Sequence, residues 1–280
     1  MGMTAVTGVT GTVGRLAASE LADAGVRFRM LARSPERAPR FPDSEVVACD
    51  YGDGASVRAA LAGVATVLMV SAAENDQRVR EHFAFVDAAA EAGVQHIVYT
   101  SFFGAAPDAT FTLARDHYAT EQRIAASGMA YTFLRDDLYL DFAESLVGDD
   151  GVIRGPAGHG RAAMVARADV ARVAAEVLRH PERHRNAGYD LTGPEDLTLA
   201  EVAEKLTAHL GRAVSFHDET VAEAYESRKK WRVPQWQYDA WVSTYTAIAA
   251  GELSGPTGDV ERVTGRRPLS LDEFLTTRPE

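Results

Sequence analysis

Near the N-terminus the chain reads Thr7-Gly8-Val9-Thr10-Gly11-Thr12-Val13-Gly14, and this glycine-rich stretch decides the fold. It follows a short apolar run at residues 3–6 and precedes a segment whose apolar residues recur at helical spacing. The order of strand, glycine turn and helix is typical of an α/β fold that binds a dinucleotide. We therefore expect the amides at the start of this helix to receive the phosphates of a dinucleotide cofactor.

The three glycines of the turn have different expected roles. Gly8 permits the tight turn, Gly11 lets the backbone approach a pyrophosphate, and Gly14 lets the helix pack closely on the strand. They are spaced three residues apart, whereas the usual fingerprint is Gly-x-Gly-x-x-Gly. This spacing favours short-chain, single-domain proteins over the two-domain dehydrogenases.

The composition sets the size of the protein and excludes several classes of partner. With 280 residues, of which 46% are hydrophobic and 25% charged, the chain is long enough for one large α/β domain and a smaller annex. The net charge of −11 argues against nucleic acid as the main partner, because phosphate neutralisation needs a basic face. No apolar run approaches the length of a membrane span and no secretion signal is evident, so we expect a cytoplasmic protein without membrane contact.

Metal binding is not expected either. The single cysteine, Cys49, cannot form an internal disulfide or a thiolate metal site. The eight histidines are scattered without a paired ligand spacing. The expected ligands are therefore a dinucleotide and a small-molecule substrate.

Predicted strands and helices alternate across the first half of the chain. The predicted strands cover residues 3–6, 26–32, 45–50, 65–71, 94–101 and 130–135. This alternation predicts a Rossmann-type, doubly wound parallel sheet. We place the nucleotide-binding core at residues 1–147 and a smaller α+β C-terminal domain at residues 148–280, with about residues 160–192 returning to the core sheet.

The second half of the chain does not continue this regular alternation of predicted strands and helices. Residues 148–160 are glycine-rich and predict a loop or a hairpin. The elements expected after it are a helix started by Asp169 at Val170–Leu178, a short strand at Tyr189–Leu191, a helix at Leu199–Leu210 and a strand at Val214–Phe216 that pairs with the short one. Thr198 and Glu201 predict a capping box at the start of the helix at Leu199–Leu210.

All three tryptophans lie close together near the end of the chain, at Trp231, Trp236 and Trp241. Tyr238 and Tyr245 extend this aromatic cluster. The clustering indicates either an aromatic lid over the cofactor or the core of a small helical annex, and the sequence leaves both open.

Arg33 stands where a parallel dinucleotide fold places the residue that faces the adenosine ribose. It ends the second predicted strand, about nineteen residues beyond Gly14. An acidic residue at that position favours NAD, whereas an arginine accommodates the 2′-phosphate of NADP. We therefore predict that NADPH is preferred over NADH.

Two further strand ends are candidates for the cofactor site. Asp50 ends the third predicted strand, where it contacts the adenine or serves as a turn or N-cap residue. Ser71-Ala72-Ala73 ends the fourth strand and lies beside the glycine turn if the sheet is doubly wound.

The catalytic pair of the common short-chain reductases is incomplete in this chain. Those enzymes use a tyrosine four residues before a lysine on a helix, and the lysine lowers the pKa of the tyrosine. Here Tyr118 has Gln122 in the lysine position, and no lysine occurs before Lys205. We therefore interpret Tyr118 as an exposed or packing tyrosine in preference to a catalytic acid.

Such a site suits an acceptor whose reduction depends little on a proton donor in the protein. A quinone carbonyl is already electrophilic, so positioning near the nicotinamide does most of the work. The candidate hydrogen-bond donors to the acceptor are Ser101, His117, Tyr118 and Tyr139. Tyr139 follows the sixth strand at the expected cleft, whereas a helical histidine such as His117 is more often solvated or already hydrogen-bonded.

Six segments together resemble the NmrA-like atypical short-chain dehydrogenases, closest to the type 2 NADPH:quinone oxidoreductases. The segments are the glycine turn, Ala32-Arg33-Ser34-Pro35, Asp50-Tyr51-Gly52-Asp53, Tyr99-Thr100-Ser101, Arg167-Ala168-Asp169-Val170-Ala171 and residues 264–274. The resemblance covers nearly the whole chain, and the set of segments is specific although each piece alone is not.

The resemblance implies an NADP-preferring Rossmann domain with a small C-terminal domain that closes a substrate cleft. The pattern and the resemblance together give as cofactor-binding residues Gly8, Thr10, Gly11, Thr12, Val13, Gly14, Arg33, Asp50, Ser71, Ala72, Ala73, Asp136, Tyr139 and Arg161. Two residues depart from the family. Asp136 stands where the family often has Asn and adds negative charge near the nicotinamide pocket, and Gln122 stands where its quinone reductases can have Lys.

We expect an NADPH-dependent oxidoreductase that transfers a hydride to a quinone or a related conjugated carbonyl, without metal or flavin. One alternative is a non-catalytic NADP(H) sensor that binds a regulatory partner, as the name-giving members of the family do. Another is a tailoring ketoreductase of secondary metabolism. The expected partner is a quinone-like small molecule, and the chain is compatible with a homodimer.

Overall fold

A computed structural model describes residues 2–277 and is built around one parallel sheet. The strands are β1 (Met3–Val6), β2 (Phe28–Ala32), β3 (Ser44–Ala48), β4 (Val64–Met69), β5 (His96–Phe102), β6 (Ala130–Asp136), β7 (Val152–Gly155), β8 (Arg161–Ala162), β9 (Ala187–Leu191), β10 (Leu197–Thr198) and β11 (Ser215–Asp218). The helices are α1 (Thr12–Asp23), α2 (Gly54–Ala60), α3 (Arg78–Glu91), α4 (Thr112–Ala126), α5 (Arg167–Arg179), α6 (Leu199–Leu210), α7 (Val221–Arg228), α8 (Gln235–Ala249), α9 (Asp259–Thr264) and α10 (Leu271–Thr277).

The main sheet has seven strands in the order β3-β2-β1-β4-β5-β6-β9, and all six pairings are parallel. From β1 the chain adds β2 and β3 on one side. It then crosses back and places β4, β5, β6 and β9 on the other side of β1. The carboxyl ends of β1 and β4 therefore flank the point where the strand order reverses, which is where such sheets bind ligands. The predicted doubly wound Rossmann-type fold is confirmed.

Helices cover both faces of this sheet. Leu21 of α1 and Val173 of α5 belong to the apolar core on one face, and Val57 of α2, Phe85 of α3 and Ile124 of α4 to the core on the other. All five side chains are fully buried. This two-sided cover explains why β4 reads as a continuous apolar run.

A third core lies beyond the carboxyl edge of the sheet. It joins Phe111 and Leu113 at the start of α4 to side chains of the C-terminal half, among them Ile153, Leu206 and Ile248. Two small sheets support it, β8 with β10 antiparallel and β7 with β11 parallel. The C-terminal elements therefore form a cap over the ends of β4, β5 and β6.

The expected partner of the strand at Val214–Phe216 was wrong. This strand, β11, pairs with β7 in the glycine-rich segment, with Phe216 opposite Ile153. The short strand at residues 189–191 is part of β9, which instead joins the edge of the main sheet beside β6. Burial explains the choice, because Ile153 and Phe216 both contribute to the third core.

Two helices begin earlier than their sequence suggests: α4 begins at Thr112, where the sequence predicts a start at about Arg115, and α5 begins at Arg167, where it predicts a start at Asp169. The starts of α4 and α5 have no side-chain cap of their own. The amide of Thr112 donates instead to Ser243 Oγ of α8 at 3.1 Å, and the amide of Arg167 donates to Asp141 Oδ2 at 3.0 Å. Because these acceptors come from distant parts of the chain, local sequence signals miss them.

Within residues 2–277, no helix combines the length and apolar character needed to cross a lipid bilayer.

Candidate active site

The glycine turn joins β1 to α1 and presents uncapped backbone amides. Gly8 has a φ of +65°, a left-handed conformation that favours glycine. The amide of Gly11 donates to the carbonyl of Gly8 at 2.9 Å and closes the turn. Gly11 is also the N-cap of α1, and no side chain caps it, so the first-turn amides are available to an anion.

The surroundings of Gly11 and Gly14 fit a dinucleotide cofactor. A Cβ atom on Gly14 would lie 2.5 Å from backbone atoms of Gly8 and Thr7, so only glycine lets α1 pack this closely on β1. A Cβ atom on Gly11 would meet only the carbonyl oxygen of Gly8, at 3.4 Å. The turn is therefore tight on its inner side and open where a pyrophosphate would approach.

The other predicted residues of the turn differ in exposure. Thr10 is exposed at its tip, Thr12 is half-buried, and Val13 is buried against the sheet. Thr7 Oγ1 accepts a hydrogen bond from the amide of Val70 at 2.9 Å and so ties the end of β1 to the end of β4. This bond fixes the turn across the point where the strand order reverses.

Arg33 and Asp50 lie at the same edge of the sheet, next to each other. Ala32 pairs with Ala48, and the amide of Cys49 donates to the carbonyl of Ala32 at 3.0 Å, so the residues that follow are neighbours. Both Arg33 and Asp50 are exposed. Asp50 Oδ1 accepts from the amide of Gly52 at 3.0 Å, which gives this carboxylate a turn contact.

A cavity of about 1080 Å³ opens at the carboxyl ends of β4, β5 and β6, under the C-terminal cap. Its wall is mostly aromatic and apolar. The predicted site residues that line it are Ser71, Ala72, Ala73, Ser101, His117, Asp136 and Tyr139. The structure therefore brings together residues from three strand ends and from α4.

Asp136, which is buried, and Tyr139, which is half-buried, form a hydrogen-bonded pair on the cavity wall. The Tyr139 hydroxyl donates to Asp136 Oδ2. Asp136 Oδ1 is buried without a hydrogen-bond partner among the described residues. Burial raises the pKa of Asp136 to about 7 and raises the pKa of Tyr139 well above its usual value of 10. The guanidinium of Arg167 lies over the Tyr139 ring, 4.6 Å from its centroid.

The neighbouring Asp137 is held in a different way. Its Oδ1 accepts from the amide of Leu138 at 2.6 Å and its Oδ2 from the amide of Ala163 at 3.1 Å. Burial also raises its pKa to about 7. Asp137 therefore fastens the end of β6 to the start of the C-terminal cap.

Ser101 is tied to an ion pair behind the cavity wall. Its hydroxyl donates to Glu121 Oε1 at 2.6 Å. Arg135 holds the same carboxylate through two hydrogen bonds, at 2.8 and 2.7 Å. Glu121 is only 2% exposed, so this pair fixes both the serine and the position of α4.

His117 belongs to a buried network that the sequence did not predict. Arg78 Nη2 lies 2.8 Å from His117 Nε2 and donates to it, and Tyr99 Oη lies 3.0 Å from His117 Nδ1. Burial and the charge of Arg78 hold the pKa of His117 well below 6.5, so the ring is neutral. Both ring nitrogens thus have partners inside the protein.

The same network shapes the loop after β4. Arg78 Nε donates to the carbonyl of Ala72 at 3.0 Å, and the amide of Ala72 donates to His82 Nε2 at 2.9 Å. The amide of Ser71 donates to Thr100 Oγ1 at 2.8 Å. Ser71 and Ala72 are therefore held by side chains of α3 and β5.

One signal in the sequence could have revealed this network. Arg78 and His82 are four residues apart on α3, and His117 and Glu121 are four apart on α4, so each pair faces one way. All four side chains are buried. A polar pair on the apolar face of a helix is the pattern to search for.

Besides the residues of the glycine turn, Arg33 and Asp50, two predicted site residues, Tyr118 and Arg161, do not line the cavity. Tyr118 is half-buried on another face of α4, and Gln122, in the lysine position, is exposed. Arg161 lies on β8, where it forms hydrogen bonds with Glu201 at 3.0 and 3.1 Å and with the carbonyl of Asp196 at 2.5 Å. The structure therefore does not bring Tyr118 or Arg161 to the other site residues.

The tryptophan cluster faces the cavity. Trp231 and Trp241 both line it, with ring centroids 5.7 Å apart in an edge-to-face arrangement. Trp231 is 53% exposed, and none of the three tryptophans is fully buried. Tyr245 lines the cavity as well, whereas Trp236 and Tyr238 do not, and Tyr245 also packs against the third core. An aromatic lid over the cofactor therefore stays a prediction.

Comparisons with known proteins agree with this geometry. Residues 8–181 match the model of a family described as NAD(P)H-binding. The chain is 32% identical to the NAD(P)H azoreductase of Xenophilus azovorans, over 97% of this chain and 96% of that protein. It is also similar to the NADPH-dependent quinone oxidoreductase of Escherichia coli solved with NADPH, with a TM-score of 0.88 and 29% identity over 98% of this chain and 99% of that one.

A further solved structure is that of the triphenylmethane reductase of a Citrobacter species with NADP(H). Its TM-score is 0.85 and its identity 30%, over 99% of this chain and 100% of that one. The family match spans the glycine turn, the strand ends and the start of the C-terminal cap. The chain therefore belongs to the NAD(P)H-binding family.

Proposed function

We propose that this protein is an NADPH-dependent oxidoreductase that reduces quinones and related conjugated acceptors, including dyes. The observation that carries the proposal is the aromatic cavity at the carboxyl edge of the sheet, beside a glycine turn that fits a pyrophosphate. The similarity to an azoreductase, a quinone oxidoreductase and a triphenylmethane reductase supports the choice of acceptor.

The residues that would hold NADPH follow the edge of the sheet. We assign the pyrophosphate to residues 8–14, the 2′-phosphate to Arg33 and the adenine side to Asp50. Ser71–Ala73, Asp136 and Tyr139 would hold the nicotinamide end. We also assign Arg161 as a cofactor contact, which requires its ion pair with Glu201 to break. When bound, NADPH supplies the hydride.

The residues of the cavity would mainly position the acceptor. Phe102, Phe111 and Trp241 offer flat apolar surfaces to a conjugated ring system. Ser101 donates to the ion-paired Glu121, both ring nitrogens of His117 have partners, and Tyr118 does not line the cavity. We therefore assign to the acceptor the hydroxyl of Tyr139, which lines the cavity and has Asp136 as its hydrogen-bond partner. Such a site orients a reactive acceptor and has little proton chemistry to perform.

We further propose that two parts of the chain have different roles in binding. Residues 1–147 would hold the cofactor, and residues 148–280 would mostly close the cavity over the acceptor, with about residues 160–192 returning to the core sheet. A homodimer is the assembly that we propose, and light scattering of the purified protein would test it.

Anaerobic mixing of the protein with NADPH and a panel of quinones tests the function. We expect the absorbance of the reduced nicotinamide to decrease in proportion to the quinone consumed. The matched control is NADH at the same concentration, which should react more slowly because it has no 2′-phosphate for Arg33. An absence of turnover with every quinone and dye would contradict the proposal.

A second candidate function is a sensor that binds NADP(H) without consuming it. The observation in its favour is that the lysine position holds an exposed glutamine and that Tyr118 lies off the cavity wall. The same experiment separates the two functions. A sensor would bind NADP⁺ and NADPH with different affinities and leave the quinone unreduced.

A further inference from the structure

On the cavity wall, the Tyr139 hydroxyl meets the buried carboxyl group of Asp136. Tyr139 is half-buried and lines the cavity, and its hydroxyl donates to Asp136 Oδ2. Asp136 is 4% exposed. A carboxyl group in this position can pass a proton to the tyrosine without contacting the acceptor itself.

We propose that Tyr139 donates a proton to the acceptor oxygen and that Asp136, in its acid form, donates from Oδ2 to the Tyr139 oxygen, which reverses their hydrogen bond and replaces that proton. This inference rests on the proposed quinone reduction. Tyr139 is then the catalytic residue, and Asp136 is a positioning residue that acts through the Tyr139 hydroxyl.

The proton balance of quinone reduction requires such a donor. The hydride that NADPH supplies brings the quinone two electrons and one proton. Formation of the hydroquinone needs a second proton, which another donor has to provide. The phenol O–H bond of Tyr139 breaks as the new O–H bond of the hydroquinone forms. The O–H bond of Asp136 breaks as the Tyr139 oxygen regains a proton, and the resulting carboxylate is protonated again from water.

The unpartnered oxygen of Asp136 supports an acid form. An ionised carboxylate would bury a charged Oδ1 without a hydrogen bond, which costs more than burying a neutral carboxyl group. Burial accordingly raises the pKa of Asp136 to about 7. The acid form is therefore populated near neutral pH, and it is lost as the pH rises through about 7.

The charged and titratable groups around Asp136 come from several elements. Tyr139 and Arg167 favour its ionised form, the first through its hydrogen bond and the second through its charge. Asp137, beside it, and Tyr99 on β5 also interact with it electrostatically. Desolvation is the largest of these influences, and it outweighs the charge of Arg167.

Asp137 serves as a matched comparison within the same segment. It is equally buried, and its pKa is also raised to about 7. Both of its oxygens, however, accept from backbone amides and neither meets a phenol. If only a buried charge mattered, replacing either aspartate would change the pH dependence of the rates. If Asp136 supplies a proton to Tyr139, only the replacement of Asp136 should change it.

The test compares an acceptor that needs a proton with one that does not. Reduction of a water-soluble benzoquinone takes up a hydride and a proton, whereas a cationic triphenylmethane dye becomes neutral on accepting a hydride alone. Steady-state rates with NADPH would be measured from pH 5.5 to about 8.5, spanning the pKa of Asp136, for the wild type, Asp136→Asn, Tyr139→Phe and Asp137→Asn. Benzoquinone turnover in ordinary and heavy water would give the solvent isotope effect.

We expect kcat of the wild type with benzoquinone to fall as the pH rises through about 7. Asp136→Asn and Tyr139→Phe should each lower the ratio of the benzoquinone rate to the dye rate by on the order of 100-fold and remove this pH dependence. Asp137→Asn should keep the pH dependence. A solvent isotope effect should appear with benzoquinone in the wild type and be lost in Asp136→Asn.

A readout without turnover keeps the inference testable if a variant is inactive. Infrared absorbance of protonated carboxyl groups should decrease in the wild type between pH 6 and about 8. The decrease should be smaller in Asp136→Asn by the share of one carboxyl group, because Asp137 remains and its pKa is also about 7. Retention of the pH dependence and the isotope effect in Asp136→Asn, with an infrared change as large as that of the wild type, would overturn the inference. If the wild type consumed no NADPH with either acceptor, the proposed function itself would fail instead.

Discussion

At the scale of single residues, Gly11 and Gly14 share one turn but have very different surroundings. An added methyl group at Gly14 meets backbone atoms at 2.5 Å, and backbone cannot move aside cheaply. We therefore expect Gly14→Ala to destabilise the protein by about 1–3 kcal/mol, as overpacking does elsewhere. Urea unfolding followed by circular dichroism measures this loss.

Gly11→Ala is the matched control for that variant. Its methyl group meets one atom at 3.4 Å, so the stability should change little. It would nevertheless occupy the space assigned to the pyrophosphate, and NADPH binding should weaken. Equal stability of the two variants would contradict the packing role of Gly14.

Arg33 tests the assignment of the ribose phosphate. The side chain is exposed at the end of β2, so its replacement should not disturb the fold. Arg33→Asp should weaken NADPH binding by about 1–3 kcal/mol, because charge-assisted hydrogen bonds to the 2′-phosphate are lost. Titration calorimetry with NADPH and NADH gives the measurement. Equal losses of affinity for NADPH and NADH would show that Arg33 does not bind the 2′-phosphate.

At the scale of elements, one ion pair joins α4 to β6. Glu121 on α4 is buried and is held by two hydrogen bonds from Arg135 on β6. Arg135→Leu should cost roughly 3 kcal/mol, because it leaves a buried carboxylate without its counter-charge. Equilibrium urea unfolding measures the change.

The double variant Arg135→Leu with Glu121→Leu is the control for the ion pair. It removes both charges, so its loss of stability should be smaller than that of the single variant. If the single variant were as stable as the wild type, the pair would not fasten α4 to the sheet.

The sequence predicted elements well where the signals are local. The capping box of Thr198 and Glu201 at the start of α6 is confirmed, and β1 begins and ends at the predicted residues. The starts of α4 and α5 were missed because Ser243 and Asp141 cap them from far along the chain. The pairing of β11 was missed because a two-stranded sheet between residues 152 and 218 depends on burial in the third core.

The site was predictable to the extent that it follows from parallel strands. The ends of β4, β5 and β6 meet at one edge by topology, which brought Ser71, Ser101 and Asp136 to one cavity. The network of Arg78 and His117 depends on how α3 and α4 are rotated, and the spacing alone did not settle that rotation. The resemblance to NADPH:quinone oxidoreductases is confirmed by the family match and the solved structure of the Escherichia coli enzyme.

At the scale of the whole molecule, His96 links stability to pH. It is 2% exposed at the start of β5, where Nε2 lies 2.8 Å from Thr132 Oγ1, and burial together with the charge of Arg185 lowers its pKa to about 4. The unfolded chain therefore binds a proton near pH 6.5 that the folded protein does not bind until about pH 4. Stability from this group is complete above pH 6.5 and is lost as the pH falls toward 4.

The variant His96→Gln isolates this contribution. The difference in free energy of unfolding between the wild type and His96→Gln should shrink by on the order of 2 kcal/mol between pH 7 and pH 4.5. Urea unfolding at several pH values measures it. A constant difference across this range would show that His96 titrates alike in the folded and unfolded chains.

The seventh strand of the main sheet has a consequence for how the protein is made. On the ribosome, the other six strands of the main sheet all emerge before β9, which comes only at residues 187–191. Until then the carbonyl and amide groups of β6 that later pair with β9 form an open edge, which invites association with other chains. A chain ended at residue 147 should therefore aggregate on expression, whereas one ended at residue 192 should aggregate less, as static light scattering would measure. Equal aggregation of the two would mean that β9 is not what closes the sheet during synthesis.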